Sequence, residues 1–261
     1  LIGIFDSGIG GLTVARALMT HLPDYDIAYF GDTARTPYGT KSPETVTQYA
    51  IEDAQILVDK GAKLLVVGCN TASSVATDRL RNDFDIPVFE VISPAIDAVL
   101  NHPKSRRVGI IGTRATVGSG VYQGKLKAAR PELQVFAASC PLLVPLVEEG
   151  WLNKGETRRI IKKYLHPLKV KQIDTLILGC THYPLVKDII QVKIGKRVKV
   201  IDSSEATAGT VKHFLDTNTQ IARTLTQRGT RDFFVSDITD HMQKLASTIL
   251  KRETELQHIR L

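Results

Sequence analysis

The sequence predicts an α/β protein built as two similar, pseudo-symmetric α/β lobes with mostly parallel sheets and a cleft between them. Three observations lead there. Short apolar, β-branched runs alternate with longer amphipathic stretches through all 261 residues, the pattern of parallel strands covered by helices. The chain also resembles itself, since Ile2-Gly3-Ile4-Phe5 leads on to Gly68-Cys69 much as Val108-Gly109-Ile110-Ile111 leads on to Gly179-Cys180. Finally, Cys69 and Cys180 each follow an apolar run and a glycine and precede small polar residues, 111 residues apart. Each thiol is thereby placed at a strand end, where α/β proteins hold their chemistry.

Taken in order, the apolar runs predict strands at Ile2–Phe5, Ile27–Phe30, Lys63–Gly68, Val88–Val91, Val108–Ile111, Gln134–Ala138, Thr175–Gly179, Val198–Ile201 and Phe233–Val235. Apolar residues at helical spacing predict helices over Gly11–Leu22, Pro43–Lys60, Thr71–Arg81, Pro94–Asn101, Thr116–Arg130, Thr157–Leu168, Tyr183–Ile190, Glu205–Asp216 and Ile238–Arg252. Ser42 before Pro43 and Ser93 before Pro94 read as N-caps with proline at the first helical position. The repeat predicts a first lobe of residues 1–93 plus 205–261, carrying Asp6 and Cys69, and a second of 94–204, carrying Cys180 and His182. The crossings are expected near Ser93 and Ser204, and the cleft between lobes is the expected ligand site.

Composition excludes several classes. With 43% hydrophobic and 23% charged residues the chain reads as a soluble globular protein, and no apolar run approaches the ~20 residues that span a bilayer. The opening Leu1–Asp6 has no basic leader and meets an acid early, so it reads as no signal peptide and predicts a cytoplasmic protein. A start at Leu rather than Met leads us to expect a few further residues ahead of it. Three cysteines without a C-x-x-C pair argue for free thiols, not a disulfide framework. The net charge of +7 is uneven, with twelve Lys/Arg between Lys154 and Lys199 against Glu156, Asp174 and Asp188. Such a stretch can bind nucleic acid or a protein partner, but no nucleic-acid motif or aromatic platform accompanies it, which favours a solvated helix face.

The glycine loop Asp6-Ser7-Gly8-Ile9-Gly10-Gly11 follows the first strand, where backbone N–H groups can approach an anion. With Asp32 at the end of the second strand it suggests a dinucleotide site and a nucleotide-dependent oxidoreductase. Against this, Thr13 stands where the third fingerprint glycine belongs, and Asp6 would face the pyrophosphate. The paired thiols carry more. A thiol ionises near pH 8.5, so one can take a proton as thiolate while the other returns one to the opposite face of the same carbon, inverting a stereocentre without a cofactor. His182, two residues after Cys180, and Asp6, serving Cys69 across the cleft, are the candidate proton-transfer assistants. A zinc site of Cys69, Cys180, His182 and Asp6 lacks the close ligand pairs of structural zinc. Cys140 has no matching context and reads as core. The polar loop Thr33–Gly39 is placed to cover the cleft, and Glu148 and Glu149 end an apolar stretch either at the cleft or on the surface.

These residues together resemble the glutamate racemases of the aspartate/glutamate racemase family. The resemblance covers essentially the whole chain and rests on Asp6–Gly11, Pro37-Tyr38-Gly39, Gly68-Cys69-Asn70-Thr71-Ala72, Val91–Ala95, Val144–Glu148 and Leu178–Pro184. It implies a cofactor-independent racemisation of glutamate that supplies D-glutamate for peptidoglycan. It also implies catalytic residues Cys69, Cys180, Asp6, His182 and Glu148, and substrate-binding residues Asp6, Ser7, Pro37, Tyr38, Gly39, Asn70, Thr71, Thr181 and His182. No metal is implied. A homodimer is expected from the same likeness, and aspartate or hydantoin racemases are the neighbouring alternatives. Ser203-Ser204-Glu205 departs from the family pattern, which often carries glycine after the first serine, at a lobe crossing away from the chemistry.

Overall fold

A computed structural model describes the whole chain, Leu1 to Leu261. The strands are β1 (Ile2–Asp6), β2 (Ile27–Gly31), β3 (Leu64–Val67), β4 (Val88–Glu90), β5 (Arg107–Gly112), β6 (Gln134–Ser139), β7 (Thr175–Gly179), β8 (Lys199–Asp202), β9 (Arg231–Val235) and β10 (Gln257–His258). They form two parallel sheets, a six-stranded one in the order β10-β9-β2-β1-β3-β4 and a four-stranded one in the order β6-β5-β7-β8. The order β2-β1-β3-β4 recurs as β6-β5-β7-β8. The self-resemblance in the sequence therefore corresponds to a repeated topology.

The apolar runs that form β1, β3 and β7 are buried on both faces, as the inner strands of a parallel sheet are. In β1, Ile2 and Ile4 enter one core cluster and Phe5 the opposite one, the side-to-side alternation of a strand. Full burial of each such side chain stabilises the fold by about 1.5–3 kcal/mol. The repeat extends to packing detail. A Cβ at Gly3 would lie 2.9 Å from Ala62 Cβ, and one at the equivalent Gly109 would lie 2.6 Å from Ile173 Cδ1. Each lobe thus uses a glycine in its central strand to admit the neighbouring segment closely.

The helices are α1 (Leu12–His21), α2 (Pro43–Asp59), α3 (Asn70–Val75), α4 (Thr77–Asp83), α5 (Ile92–Leu100), α6 (Arg114–Gly118), α7 (Val121–Ala129), α8 (Leu143–Glu148), α9 (Gly155–Val170), α10 (Lys187–Ile194), α11 (Ser203–Thr217), α12 (Thr219–Thr224) and α13 (Asp240–Leu250). Ser42 caps α2, accepting from the Thr45 N–H at 3.3 Å. The second expected cap is corrected. Helix α5 begins at Ile92, one residue before Ser93, because the buried Glu90 carboxylate accepts from the N–H groups of Ile92 and Ser93 and satisfies the helix start from further back.

Two expected single helices are each two. Residues 71–81 divide at Ala76, the shared boundary of α3 and α4. Residues 116–130 divide at Gly120, whose φ of +68° is left-handed and cannot continue a helix. The expected helix from Tyr183 opens as a tight turn, Tyr183–Val186, before α10. Strand β10 and helices α8 and α12 were not expected from the sequence, being short and weakly patterned.

Helix α5 sends Ile92, Ala95, Ile96 and Val99 against Val108 and Ile110 of the four-stranded sheet. Helix α11 sends Ala208, Val211 and Leu215 into the core of the six-stranded sheet. Helix α9 buries Thr157, Ile161, Leu165 and Leu168 and turns its Lys and Arg residues outward, a solvated face. No helix is long and apolar enough to cross a membrane.

Candidate active site

The ends of β1, β3, β5 and β7 meet at one small cavity. Its lining includes both thiols, Cys69 from one sheet and Cys180 from the other, with Ser7, Thr36, Pro37, Tyr38, Gly39, Asn70, Thr71, Thr113, Val144, Thr181 and His182. Both thiols are buried and free. Their position follows from the repeat, since each directly follows the strand, or the strand-end glycine, beside its sheet's central strand.

The two thiols sit in different electrostatic settings. Cys69 caps α3: its sulfur accepts from the Ala72 N–H at 3.4 Å and its S–H donates to Ser7 Oγ at 3.5 Å. Burial and then the nearby Asp6 charge push this thiol up to about 12, outweighing the Ala72 and Ser7 hydrogen bonds that favour the thiolate. Cys180 Sγ lies 3.7 Å from His182 Nδ1, and His182 Nε2 lies 3.2 Å from Glu148 Oε1. Burial alone would lower the His182 pKa, but the Cys180 sulfur on one side and the Glu148 carboxylate on the other together push it up to about 10. Both neighbours favour the charged form of the ring.

Asp6 lies beneath the cavity without lining it. It is fully buried, its Oδ2 accepts from the Gly11 N–H at 2.8 Å, and its Oδ1 has no partner in the chain. Burial raises its pKa, opposed by the His182 charge and by backbone N–H groups. Glu148 likewise reaches the site through His182 and lines two adjoining cavities. Asn70 Oδ1 accepts from the Tyr122 hydroxyl of the facing lobe at 2.7 Å, while its buried Nδ2 has no partner in the chain. The Tyr38 hydroxyl is engaged by Asp32 and Asp53, so it is not a free donor to the cavity that Tyr38 lines.

The dinucleotide reading is overturned by packing. A Cβ on Gly10 would sit 2.4 Å from the His182 ring and 2.7 Å from Thr181 Oγ1, so the glycine loop accommodates the facing lobe and leaves no space for a pyrophosphate. Thr13, at the third fingerprint position, donates to the Thr181 carbonyl at 2.9 Å and lies 3.1 Å from Ser204 Oγ, tying the lobes together. Asp32 is buried against Arg35, Tyr38 and Ser236 and is not available to a ribose. No three His, Cys, Asp or Glu side chains converge as metal ligands.

Every residue expected at the site is at the cavity or in direct contact with its walls. Thr113 and Val144 line it as well without having been singled out as site residues. The repeat carried a signal for Thr113: it follows β5 as Ser7 follows β1, and its hydroxyl lies 3.1 Å from that of Thr71 across the cleft. Cys140 is buried in the core cluster of the second sheet, as expected.

Two parallel sheets bring paired thiols to one cleft, an arrangement suited to acid–base chemistry on a single carbon. The chain belongs to the aspartate/glutamate/hydantoin racemase family, whose sequence profile matches residues 13–211. It is 48% identical over 237 residues to the glutamate racemase of Geobacter metallireducens, covering 91% of this chain and 87% of that one. Its fold is similar to the crystal structure of glutamate racemase isoform RacE1 from Bacillus anthracis, with a TM-score of 0.93 at 35% identity, covering 100% and 97% of the two chains. It is also similar to the Francisella tularensis glutamate racemase in complex with D-glutamate, with a TM-score of 0.90 at 37% identity, covering 99% and 96%.

Proposed function

We propose that this chain interconverts L- and D-glutamate by proton transfer between Cys69 and Cys180. The observation that carries the reading is that the two thiols line one small cavity from opposite sheets. One sulfur, as thiolate, takes the α-proton. The other, as thiol, gives its proton to the opposite face of the resulting carbanion. One C–H bond breaks and one forms, the negative charge passes from one sulfur to the other, and nothing is oxidised or reduced.

The two thiols have different partners. Cys69, pushed up to about 12, holds its proton, while His182 lies 3.7 Å from the Cys180 sulfur as its proton-transfer partner. Glu148 favours the charged form of His182, and Asp6 serves the Cys69 side. Ser7, Asn70, Thr71 and Thr181 supply polar contacts for the substrate, with the unpartnered Asn70 Nδ2 a ready donor to a carboxylate. Pro37, Tyr38 and Gly39 form the facing wall. Glutamate is the substrate of choice because the high-identity relatives are glutamate racemases.

Within the same reading the lobes are 1–93 plus 205–261 and 94–204, with the crossings in the first turns of α5 and α11, which pack on opposite sheets. The protein acts in the cytoplasm as a homodimer and supplies D-glutamate for peptidoglycan. The basic stretch Lys154–Lys199 plays no part in the chemistry.

The test is incubation with either glutamate enantiomer in D₂O, following optical activity and α-deuterium incorporation by NMR. Absence of both with folded, reduced protein defeats the proposal. Turnover of aspartate or a hydantoin in preference to glutamate moves it to a sister activity of the family.

A further inference from the structure

The loop that walls one side of the cleft is anchored from behind by acids. The Tyr38 hydroxyl lies within hydrogen-bond distance of two carboxyl groups, Asp32 Oδ2 and Asp53 Oδ2, the latter at 2.8 Å. Both acids are fully buried. A phenol has one hydrogen, so it satisfies one of these contacts, and the other needs a proton of its own or two lone pairs oppose each other in a dry site.

The surrounding donors decide which acid carries that proton. Asp32 Oδ2 accepts from Arg35 Nε at 2.6 Å, and Asp32 Oδ1 accepts from the Ser236 hydroxyl at 2.9 Å. Ser236 Oγ in turn accepts from the Ala34 N–H at 2.9 Å, which turns its own hydrogen toward Asp32. Asp32 is thus enclosed by donors, as an ionised carboxylate requires. Asp53 receives one donor, Arg35 Nη2 on Oδ1 at 3.0 Å, and faces Tyr38 with Oδ2.

Charge points the same way. Asp32, Asp53 and Glu52 all contact the single cation Arg35. The other neighbours are Tyr29, buried beside the cluster, and the Tyr49 ring against Arg35, with Lys41 5.8 Å from that ring's centroid. A protonated Asp53 removes one of two excess negative charges. Burial, then the Asp32 charge, pushes the Asp53 carboxyl well up from its ordinary value.

We propose that Asp53 is the neutral acid of an acid–phenol–carboxylate clamp, donating to the Tyr38 oxygen while Tyr38 donates to Asp32, and that through this clamp it is a positioning residue for the cleft wall. Thr36, Pro37, Tyr38 and Gly39 line the cavity, and Asp53, on α2, does not. The wall has little freedom on its far side, since a Cβ at Gly39 would lie 2.9 Å from Thr113 Cβ in the facing lobe. A shift of the Tyr38 anchor therefore reaches the substrate side of the loop.

The test compares the native chain with Asp53→Asn and Asp53→Ala. Its kinetic arm rests on the glutamate reading, and its spectroscopic arm does not. A carboxamide offers an N–H to Tyr38 and a carbonyl to Arg35, so asparagine mimics the neutral acid and not the carboxylate. Asp53→Asn is expected to keep KM for glutamate within about twofold, whereas Asp53→Ala raises it about tenfold with kcat changed less than about threefold, the scale of one lost buried hydrogen bond.

Infrared spectroscopy of the native chain at neutral pH is expected to show a protonated-carboxyl band that Asp53→Asn removes, a readout that survives even if the alanine variant misfolds. Asparagine as damaging as alanine, alanine without effect on KM, or no Asp53-dependent band overturns the proposal. Should the native chain leave glutamate unchanged, the functional reading fails while the band still decides the state of Asp53.

Discussion

Replacing Glu148 with glutamine keeps the shape of the side chain and removes the anion 3.2 Å from His182 Nε2. An ion pair at about 4 Å is worth about 4 kcal/mol at the effective dielectric of a protein. The Glu148 side chain is 33% exposed, so screening reduces this to about 1.5–3 kcal/mol, the range of a hydrogen bond to a charged group. At about 1.4 kcal/mol per pH unit the His182 pKa falls by roughly 1–2 units. It drops from about 10, held up there by both neighbours, and the Cys180 sulfur retains the rest of the effect.

The measurement is the pH dependence of kcat/KM, followed by circular dichroism with each enantiomer. Activity that needs the imidazolium is present at low pH and lost as pH rises through its pKa, so the alkaline limb moves down by about 1–2 units in Glu148→Gln. The enantiomers are equal in free energy, so kcat/KM falls by the same factor in both directions. Stability follows the same sign. A histidine raised from about 6.5 when unfolded contributes fully below that pH and loses its contribution as pH rises through the folded value, earlier in the variant. An alkaline limb that does not move in Glu148→Gln refutes the assignment of Glu148 as a group that raises the His182 pKa.

Other substitutions test separate parts of the site. Cys69→Ser and Cys180→Ser are each expected to lower racemisation at least about 10³-fold with an unchanged melting temperature, read by optical rotation and differential scanning calorimetry. Gly10→Ala places a methyl 2.4 Å from the His182 ring, so kcat should fall about 10²-fold in steady-state assays by displacing the ring. Gly120→Ala, at φ +68° with open space around it, should cost about 1 kcal/mol in urea denaturation and leave kcat alone. Tyr122→Phe removes the donor to Asn70 across the cleft and should cost about 1–3 kcal/mol in the same denaturation assay, with a raised KM.

Much of the fold was legible because strands buried on both faces must be apolar runs, and β1, β3, β5 and β7 all are. The helix breaks were not. Gly120 ends a helix through its backbone conformation, and Ala76 carries no breaking residue type at all, so apolar spacing ran straight through both. Among site residues, the cysteines announced themselves by repeated context, and Thr113 was recoverable from the same repeat. Glu148 was not distinguishable from a surface acid without the family resemblance. Asp53 falls at the spacing of Val46, Ala50 and Leu57 on the buried face of α2, but which groups that acid meets there is decided only by the fold.

The sequence by itself determined the parallel α/β architecture, the duplication and the two thiols at strand ends, because these are encoded in local order: hydrophobic period, glycines and the residues flanking each cysteine. The tertiary structure decided which groups are charged and which pairs touch. The His182 pKa is held up because the Cys180 sulfur and Glu148, 34 residues away in the chain, flank its ring, and Cys69 keeps its proton because the fold buries it near Asp6. Ionisation depends on burial and on distance through space, and neither is written in the spacing of residues along the chain.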